Sequence, residues 1–326
     1  MKLYRIIIFA IVSILFASCA NKSSMKIGLL LPNMVDDRFP QDKEFFIKKA
    51  HELGAEVIFA NANFDANLQI NQAEDMLKNG AKVLVMCPVN KNTAATVVRK
   101  AHEYGAKVIA YERIISNCDL DFYITYNSVK VGELMADYAL KKCPHGNWVL
   151  LAGDKSDNNA ILVRNGWENI INGAVKENKI QIQFQTYVED WSGDEAYMIM
   201  NKFLNLSGTN PDVVLSAYDG MSSGVIKALD EHDVTGTIVT GQNAESQALR
   251  NILKQKQSMT VYKPFKIQAE QAAILAVQII QNQKIAAFTQ TMFNGFTDVP
   301  SILLEPISVD INNIQTTVIA DGFFKE

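Results

Sequence analysis

Hydrophobic residues in the first half of the chain form short continuous runs, and stretches with helical spacing separate these runs. The runs are rich in Val and Ile and lack polar alternation, which is typical of strands buried on both faces by helices. A Gly-Ala pair opens three of them, and glycine is favoured just past a helix end because it tolerates positive φ. The pattern predicts a parallel sheet of βα units with strands at 26–31, 56–59, 82–86 and 107–110. The Gly-Ala pairs that precede the last three strands begin at Gly54, Gly80 and Gly105.

The same pattern returns after about residue 128. Further strands are predicted at 148–152, 180–187, 213–217, 237–240 and 259–262, with a helix at 161–175. Two sets of four or five βα units predict an α/β fold with two doubly wound parallel-sheet lobes.

No Pro-, Gly- or Ser-rich linker divides the two sets, so we expect a hinge made of several short crossings. We place these crossings near Asn127, Pro264 and 294–298. The N-terminal lobe is then predicted to comprise 26–127 plus 264–293, and the C-terminal lobe 128–263 plus 294–326.

The first nineteen residues differ from the rest of the chain. Lys2 and Arg5 precede an apolar run at 6–17, and Cys19 follows. A twelve-residue helix rises about 18 Å, which is short of the roughly 30 Å hydrocarbon core, so residues 1–19 are predicted to be a signal peptide. Ala17-Ser18-Cys19 resembles the lipobox of bacterial lipoproteins. This resemblance implies that Cys19 is lipidated and anchors a periplasmic protein to a membrane; ordinary signal cleavage is the alternative.

Composition narrows the possible functions. The 326 residues are 48% hydrophobic and 20% charged, with 31 basic against 35 acidic residues. These values exclude a disordered or fibrous chain, and the length suggests about two domains. The formal net charge of -4 argues against a nucleic-acid partner, since such proteins carry a basic face.

Three cysteines remain beyond the signal segment: Cys87, Cys118 and Cys143. Their spacing fits neither a disulfide framework nor a zinc site, although a bridge between Cys118 and Cys143 stays open. The chain also lacks an HExxH and a P-loop motif, which argues against an enzyme. No cofactor and no metal are predicted.

Polar and aromatic residues follow the predicted strands, where ligands of open α/β sheets bind. Carboxylates, amides and cationic groups hold hydroxyls, and flat rings cover the C–H faces of a sugar. The candidate site residues are Arg38, Phe39, Glu112, Arg113, Asp157, Asn159, Trp191, Tyr218, Asn243 and Lys263.

Each candidate also has a structural alternative. Arg38 and Arg113 are singly more typical of surface or ion-paired arginines, and Asp157 fits a helix N-cap. The rings of Phe39 and Trp191 fit half-buried packing residues. The functional hypothesis depends on the joint position of the candidates at the strand ends.

From about residue 26 to 326 the chain resembles the periplasmic D-xylose-binding proteins of ABC importers, within the type I, ribose-binding-like family. The similarity lies in several segments in the same order. They are Tyr111-Glu112-Arg113, 121–124, 131–134, Asp157-Asn158-Asn159-Ala160, 259–264, 298–301 and 317–323.

The resemblance implies a role for each candidate. Phe39, where the family has a tryptophan, and Trp191 would sandwich a sugar ring. Five candidates match family ligand positions in kind: Arg38, Arg113, Asp157, Asn159 and Lys263. Three depart from the family: Glu112 replaces an aspartate, Tyr218 an asparagine and Asn243 an aspartate.

The implied function is capture of a monosaccharide, D-xylose or a related aldose, by hinge closure, followed by delivery to an ABC permease and ATPase complex. A sensory role, in which a membrane receptor or kinase reads the closed form, is the alternative. An enzyme and a sugar-responsive repressor are less favoured, the latter because the export signal occupies the place of a DNA-binding head.

Overall fold

The computed structural model describes residues 25–35, 38–285, 288 and 290–324. The predicted signal peptide and Cys19 lie outside the described residues. The chain divides into two compact units. Unit 1 contains the described residues up to 123 together with 269–300, and unit 2 contains 124–268 together with the residues from 301 onward.

Unit 1 is built on a seven-stranded sheet with helices from the connecting segments. The strand order is β11-β12-β5-β4-β3-β1-β2, and β1 pairs in parallel with both β2 and β3 while β3 pairs in parallel with β4. The strands are β1 (Met25–Leu31), β2 (Ala55–Asn61), β3 (Val83–Met86), β4 (Lys107–Tyr111), β5 (Phe122–Tyr126), β11 (Gln290–Phe293) and β12 (Asp298–Leu304). The helices are α1 (Arg38–Glu52), α2 (Ala66–Lys78), α3 (Ala95–Glu103) and α9 (Phe265–Ile280).

The four apolar runs of the first half of the sequence form β1, β2, β3 and β4 of this sheet. Strand β3 is buried at all four positions, as expected for a strand covered on both faces. Gly54, Gly80 and Gly105 follow α1, α2 and α3 with φ of 79°, 89° and 67°. The predicted helix ends are therefore confirmed. Each glycine turns the chain toward the next strand, which begins within three residues.

Unit 2 contains a four-stranded parallel sheet and a separate two-stranded sheet. The parallel sheet has the order β7-β6-β8-β9, and β10 pairs with β13 in antiparallel fashion. The strands are β6 (Gly146–Ala152), β7 (Ile180–Tyr187), β8 (Val213–Ser216), β9 (Ile238–Val239), β10 (Met259–Tyr262) and β13 (Ile307–Asp310). The helices are α4 (Ser128–Lys142), α5 (Asn158–Lys176), α6 (Gly193–Ser207), α7 (Asp219–Glu231) and α8 (Ser246–Leu253).

Two glycines let α4 and α5 approach closely. A Cβ on Gly132 would lie 1.9 Å from the carbonyl oxygen of Val163, and a Cβ on Gly166 would lie 2.1 Å from that of Val129. Real Cβ atoms do not come so close to backbone oxygens. The two glycines therefore set the distance between these helices.

Two features of the strands differ from the sequence prediction. Strand β10 was expected in the parallel sheet, but it pairs with β13, because residues 307–310 return alongside it; one parallel bridge joins Val261 to Gln242. Strands β5, β11, β12 and β13 were not predicted. The two compact units divide at 123/124, 268/269 and 300/301, within β5, α9 and β12. The lobe boundaries predicted from the sequence lie four to seven residues from these positions. The three cysteines are all free thiols, so Cys118 and Cys143 form no bridge.

Two features are absent from the described residues. Within the ranges given above, no helix has the length and apolar character needed to cross a bilayer. The same residues contain no group of three or more His, Cys, Asp or Glu side chains arranged to hold a metal ion.

Candidate functional site

Five of the candidate residues of unit 2 follow the carboxyl ends of strands. Because β6, β7, β8 and β9 run parallel, their carboxyl ends meet at one edge of the sheet. The parallel bridge between Gln242 and Val261 brings the end of β10 to the same edge. The candidates that follow these strands are Asp157, Trp191, Tyr218, Asn243 and Lys263.

Trp191 presents a half-buried ring at this edge. Its six-membered ring lies directly over Gly153, since a Cβ on that glycine would come within 2.2 to 2.3 Å of three ring carbons. The ring of Tyr218 stands perpendicular to it, with centroids 6.3 Å apart and an interplanar angle of 89°. This edge-to-face contact fixes the orientation of the indole.

Tyr218 is tied to a residue that was not among the candidates. Its hydroxyl donates a short hydrogen bond to the carboxylate of Glu245. Glu245 is the N-cap residue of α8, but its side chain makes no cap hydrogen bond. The sequence offered no signal for this pair, because the two residues are 27 positions apart.

Asn243 lies in a strained turn with φ of 97°. Its backbone N–H donates to the carbonyl of Val261 at 2.9 Å. Among the described residues, its side-chain Oδ1 is buried and has no hydrogen-bond partner. Leaving a buried acceptor unpaired costs about 1–3 kcal/mol. A bound molecule that donates a hydrogen bond to Oδ1 recovers that free energy.

Lys263 is buried, with 8% of its surface exposed. Its Nζ donates to Oε1 of Gln242 at 3.2 Å, and Nε2 of Gln242 donates to the carbonyl of Ala217 at 2.7 Å. Gln242 thus connects the ammonium group to the end of β8. Gln242 follows a predicted strand, but sequence reasoning gave it no role.

Asp157 and Asn159 have local structural partners. Asp157 is the N-cap of α5, and its Oδ1 accepts the backbone N–H of Asn159 at 2.9 Å. Oδ1 of Asn159 accepts from the hydroxyl of Ser128 at 3.2 Å. The capping alternative for Asp157 is therefore observed, and both side chains are half-buried at the start of α5.

In unit 1, Arg38 forms a buried ionic network. Its Nε donates to Oδ2 of Asp42 at 2.8 Å, and a terminal nitrogen lies 3.0 Å from Oε2 of Glu112. The hydroxyl of Tyr111 donates to Oδ1 of Asp42 at 2.7 Å. Burial opposes the charge on Arg38, but the two carboxylates raise its pKa well above the ordinary value. Burial also raises the pKa of Asp42, although the guanidinium opposes this shift.

The chain turns sharply at Glu112. Its φ is 65°, and the N–H of Arg113 donates to the carbonyl of Tyr111 at 2.7 Å, which closes a three-residue turn of a rare and strained type. The hydroxyl of Tyr123 donates to the carbonyl of Glu112 at 2.9 Å and supports the turn. The turn brings Glu112 to Arg38 and leaves the side chain of Arg113 exposed.

Phe39 does not present its ring at the surface. It is 2% exposed and lies on the same face of α1 as the buried residues Phe46 and Ala50. This is the packing role that the sequence left open. The structure thus brings together Arg38 and Glu112 in unit 1, and in unit 2 it brings together Trp191 and Tyr218.

Comparisons with known proteins place the chain in a family. The model of a periplasmic binding protein domain matches residues 27–284. The D-xylose-binding periplasmic protein of Escherichia coli is 38% identical over 328 residues, covering 100% of this chain and 99% of the relative. The protein of the same name from Haemophilus influenzae is 38% identical over 309 residues, covering 94% and 93%.

Solved structures agree with this assignment. An ABC transporter solute-binding protein from Clostridium phytofermentans with bound β-D-glucose has a TM-score of 0.81 at 30% identity, covering 92% of this chain and 98% of that one. A carbohydrate transporter solute-binding protein from Chloroflexus aurantiacus in complex with D-glucose has a TM-score of 0.81 at 26% identity, covering 93% and 98%. These relatives are binding proteins rather than enzymes. The predicted family resemblance is confirmed: the chain belongs to the periplasmic binding proteins and has their type I fold.

Proposed function

We propose that this protein is an extracytoplasmic sugar-binding protein that captures a monosaccharide, D-xylose or a related aldose, and delivers it to an ABC importer. The relatives at 38% identity are named for D-xylose, and they match nearly the whole chain. The neighbours with bound glucose are named as transporter solute-binding proteins.

One observation in the structure carries the proposal. A half-buried indole, Trp191, lies at the same strand edge as a buried ammonium group, Lys263, and an unpaired buried amide oxygen, that of Asn243. An indole face covers the C–H groups of a pyranose. The ammonium group donates hydrogen bonds to the hydroxyls of the sugar, and the amide oxygen accepts a hydrogen bond from one of them. This combination suits a polyol with one apolar face better than it suits an ion or a lipid.

Unit 1 supplies the second half of the proposed contacts. Arg38 and Glu112 hold each other in place, and Arg113, the next residue in the chain, has an exposed side chain. A ligand that contacts groups of both units binds the closed form better than the open form and shifts the population toward it. The membrane partner then reads the closed form.

A second candidate function is sugar sensing. A relative from Rhizobium radiobacter that is 30% identical over 331 residues, covering 95% of this chain and 93% of the relative, is named a multiple sugar-binding periplasmic receptor. The same capture would serve this role with a receptor or kinase as partner. Copurification with a permease complex or with a sensor after crosslinking separates the two.

We further propose that Cys19 is lipidated and holds the protein at a membrane. The support is the Ala17-Ser18-Cys19 segment after the apolar run at 6–17. Mass spectrometry of protein extracted from membranes should find a diacylglyceryl group on Cys19. Release of Cys19→Ser into the soluble fraction is expected, and equal membrane retention of this variant would contradict the anchor.

A titration tests the sugar. The chain has three tryptophans, and Trp148 and Trp167 are fully buried, so a fluorescence change on adding sugar reports mainly on Trp191. We expect at least one aldose of a pentose and hexose panel to bind with Kd near or below about 1 μM. Trp191→Phe should remove most of the signal, and calorimetry should then measure the remaining affinity. An absence of binding by every aldose at millimolar concentration would refute the proposal.

A further inference from the structure

The segment 243–245 adopts an unfavourable backbone conformation at the binding edge of unit 2. Asn243 and Ala244 have φ of 97° and 55°, in the left-handed region that residues with a side chain seldom occupy. Such conformations persist only where the surrounding structure holds them. Asn243 and Glu245 flank Ala244, so the geometry of this segment decides where both side chains lie.

Two buried side chains hold the segment through consecutive backbone N–H groups. The N–H of Ala244 donates to Oγ1 of Thr260 at 3.2 Å, and the N–H of Glu245 donates to Oδ2 of Asp219 at 2.9 Å. The Thr260 hydroxyl in turn donates to the Asp219 carboxyl at 2.9 Å. Both side chains are inaccessible, with Thr260 0% and Asp219 1% exposed.

The Asp219 carboxyl is itself fixed from the other side. Nε2 of Gln257 donates to its Oδ1 at 2.9 Å. The approach to Gly241 is so close that a Cβ there would lie 2.1 Å from the same oxygen. A buried carboxyl with this many donors and no freedom to move is a rigid anchor for the strand end beside it.

We propose that Asp219 and Thr260 are the positioning residues of the sugar site, because together they hold segment 243–245 in the conformation that places Asn243 and Glu245 at the binding edge. The inference rests on the proposed function. It assigns a role to two buried residues that are not among the candidate site residues. Without the anchor, the segment samples several conformations, and the apparent affinity falls in proportion to the fraction that remains competent.

Thr260→Val tests the anchor with little change of shape. It removes the hydroxyl that accepts from Ala244 and donates to Asp219, while Thr260→Ser keeps the hydroxyl. Thr237→Val is the matched control, since the Thr237 hydroxyl donates to the carbonyl of Pro211 at 2.8 Å just before β9, at the opposite end of that strand.

The readout is the Kd for the tightest-binding aldose, measured with the free energy of unfolding for each variant. Loss of one positioning hydrogen bond should raise Kd about five- to tenfold in Thr260→Val. Thr260→Ser should restore most of the lost affinity. Thr237→Val should lose a similar amount of stability and leave Kd within about twofold of the parent, because its hydroxyl is remote from the binding edge.

A double-mutant cycle separates positioning from general destabilisation. If Thr260 acts through Asn243, Thr260→Val should add little to the loss of binding free energy that Asn243→Ala already causes. Independent effects of the two substitutions would instead add in the double variant. Full additivity, or an unchanged Kd in Thr260→Val, would overturn the proposal.

Amide hydrogen exchange gives a readout that needs no sugar. The amides of Ala244 and Glu245 should be protected in the parent and exchange at least about tenfold faster in Thr260→Val. If no aldose binds the parent protein, the proposed function fails, and the positioning role for a sugar fails with it even if these amides are protected. If an aldose binds but the two amides exchange equally fast in both proteins, only the positioning proposal fails.

Discussion

Gly153 offers a way to displace the Trp191 ring without removing it. A Cβ at Gly153 would lie 2.2 Å from the nearest ring carbon, whereas carbon atoms in contact prefer about 3.5–4.0 Å. The backbone of Gly153 is not in the left-handed region, so alanine can be accommodated there by moving the indole. Gly153→Ala therefore requires a shift of the ring by more than about 1 Å.

The expected consequence is a loss of affinity with little loss of stability. A central tryptophan contact is worth on the order of 2 kcal/mol, so its partial loss should raise Kd by about five- to thirtyfold. The half-buried ring can move toward solvent, and alanine in place of glycine lowers the entropy of the unfolded chain, worth about 0.4–1 kcal/mol. These two effects should leave the free energy of unfolding within about 1 kcal/mol of the parent.

Gly173→Ala is the control, because nothing lies within 4 Å of a Cβ at that position in α5. It should leave Kd unchanged and stabilise the protein by about 0.5–1 kcal/mol. Calorimetry gives Kd for each variant and urea unfolding gives stability. If Gly153→Ala bound sugar as tightly as the parent, the indole position would not matter for recognition and the reasoning would be refuted.

Three further outcomes follow from the structure. Burial raises the pKa of Asp219 from 3.8 to about 8, so between these pH values the folded protein binds a proton that the unfolded chain has lost. The free energy of unfolding should therefore fall as the pH rises from about 4 to 8. Urea unfolding across this range should give a flatter profile for Asp219→Asn, and equal slopes would contradict the shift. Lys263→Met should weaken sugar binding by about tenfold or more in a calorimetric titration. The substitution removes a buried charged donor, and Oε1 of Gln242 loses the hydrogen bond that it accepts from Lys263. Unchanged affinity would remove Lys263 from the site. Gly132→Ala should destabilise the protein by more than about 3 kcal/mol in urea unfolding, because its methyl group would meet the Val163 carbonyl; a smaller change would mean that the two helices separate easily.

The strands of the predicted βα units could be read from the sequence, whereas β5, β11, β12 and β13 could not. Continuous apolar runs such as Val83–Met86 have a single favourable place in a sheet covered by helices on both faces. A four-residue strand such as Met259–Tyr262 reads the same whether its neighbour is parallel or antiparallel. Its pairing is decided by residues 307–310, which come 45 or more positions later and carry no strong pattern.

The candidate residues were chosen by their position after the strands, and their hydrogen-bond partners were missed. Parallel topology alone places Tyr218 and Asn243 at one edge, so their candidacy needed no contacts. The partner of Arg38 could have been found, because Asp42 is four positions along the same helix. The contact of Asp219 with Thr260 spans 41 residues, and no local signal reveals it. The φ of 65° at Glu112 was equally invisible, since no glycine marks the turn.

The two units build their proposed binding edges by different physical means. In unit 1 the edge depends on charges: Arg38 is held by two carboxylates in a buried network, and removing either partner leaves an uncompensated charge, which costs several kcal/mol. In unit 2 the edge depends on backbone N–H groups held by Thr260 and Asp219. Substitution of Thr260 loosens one segment and leaves no charge unpaired. Variants of unit 2 can therefore separate recognition from folding, whereas any loss of sugar binding in an Arg38 variant must be corrected for the stability lost with the network.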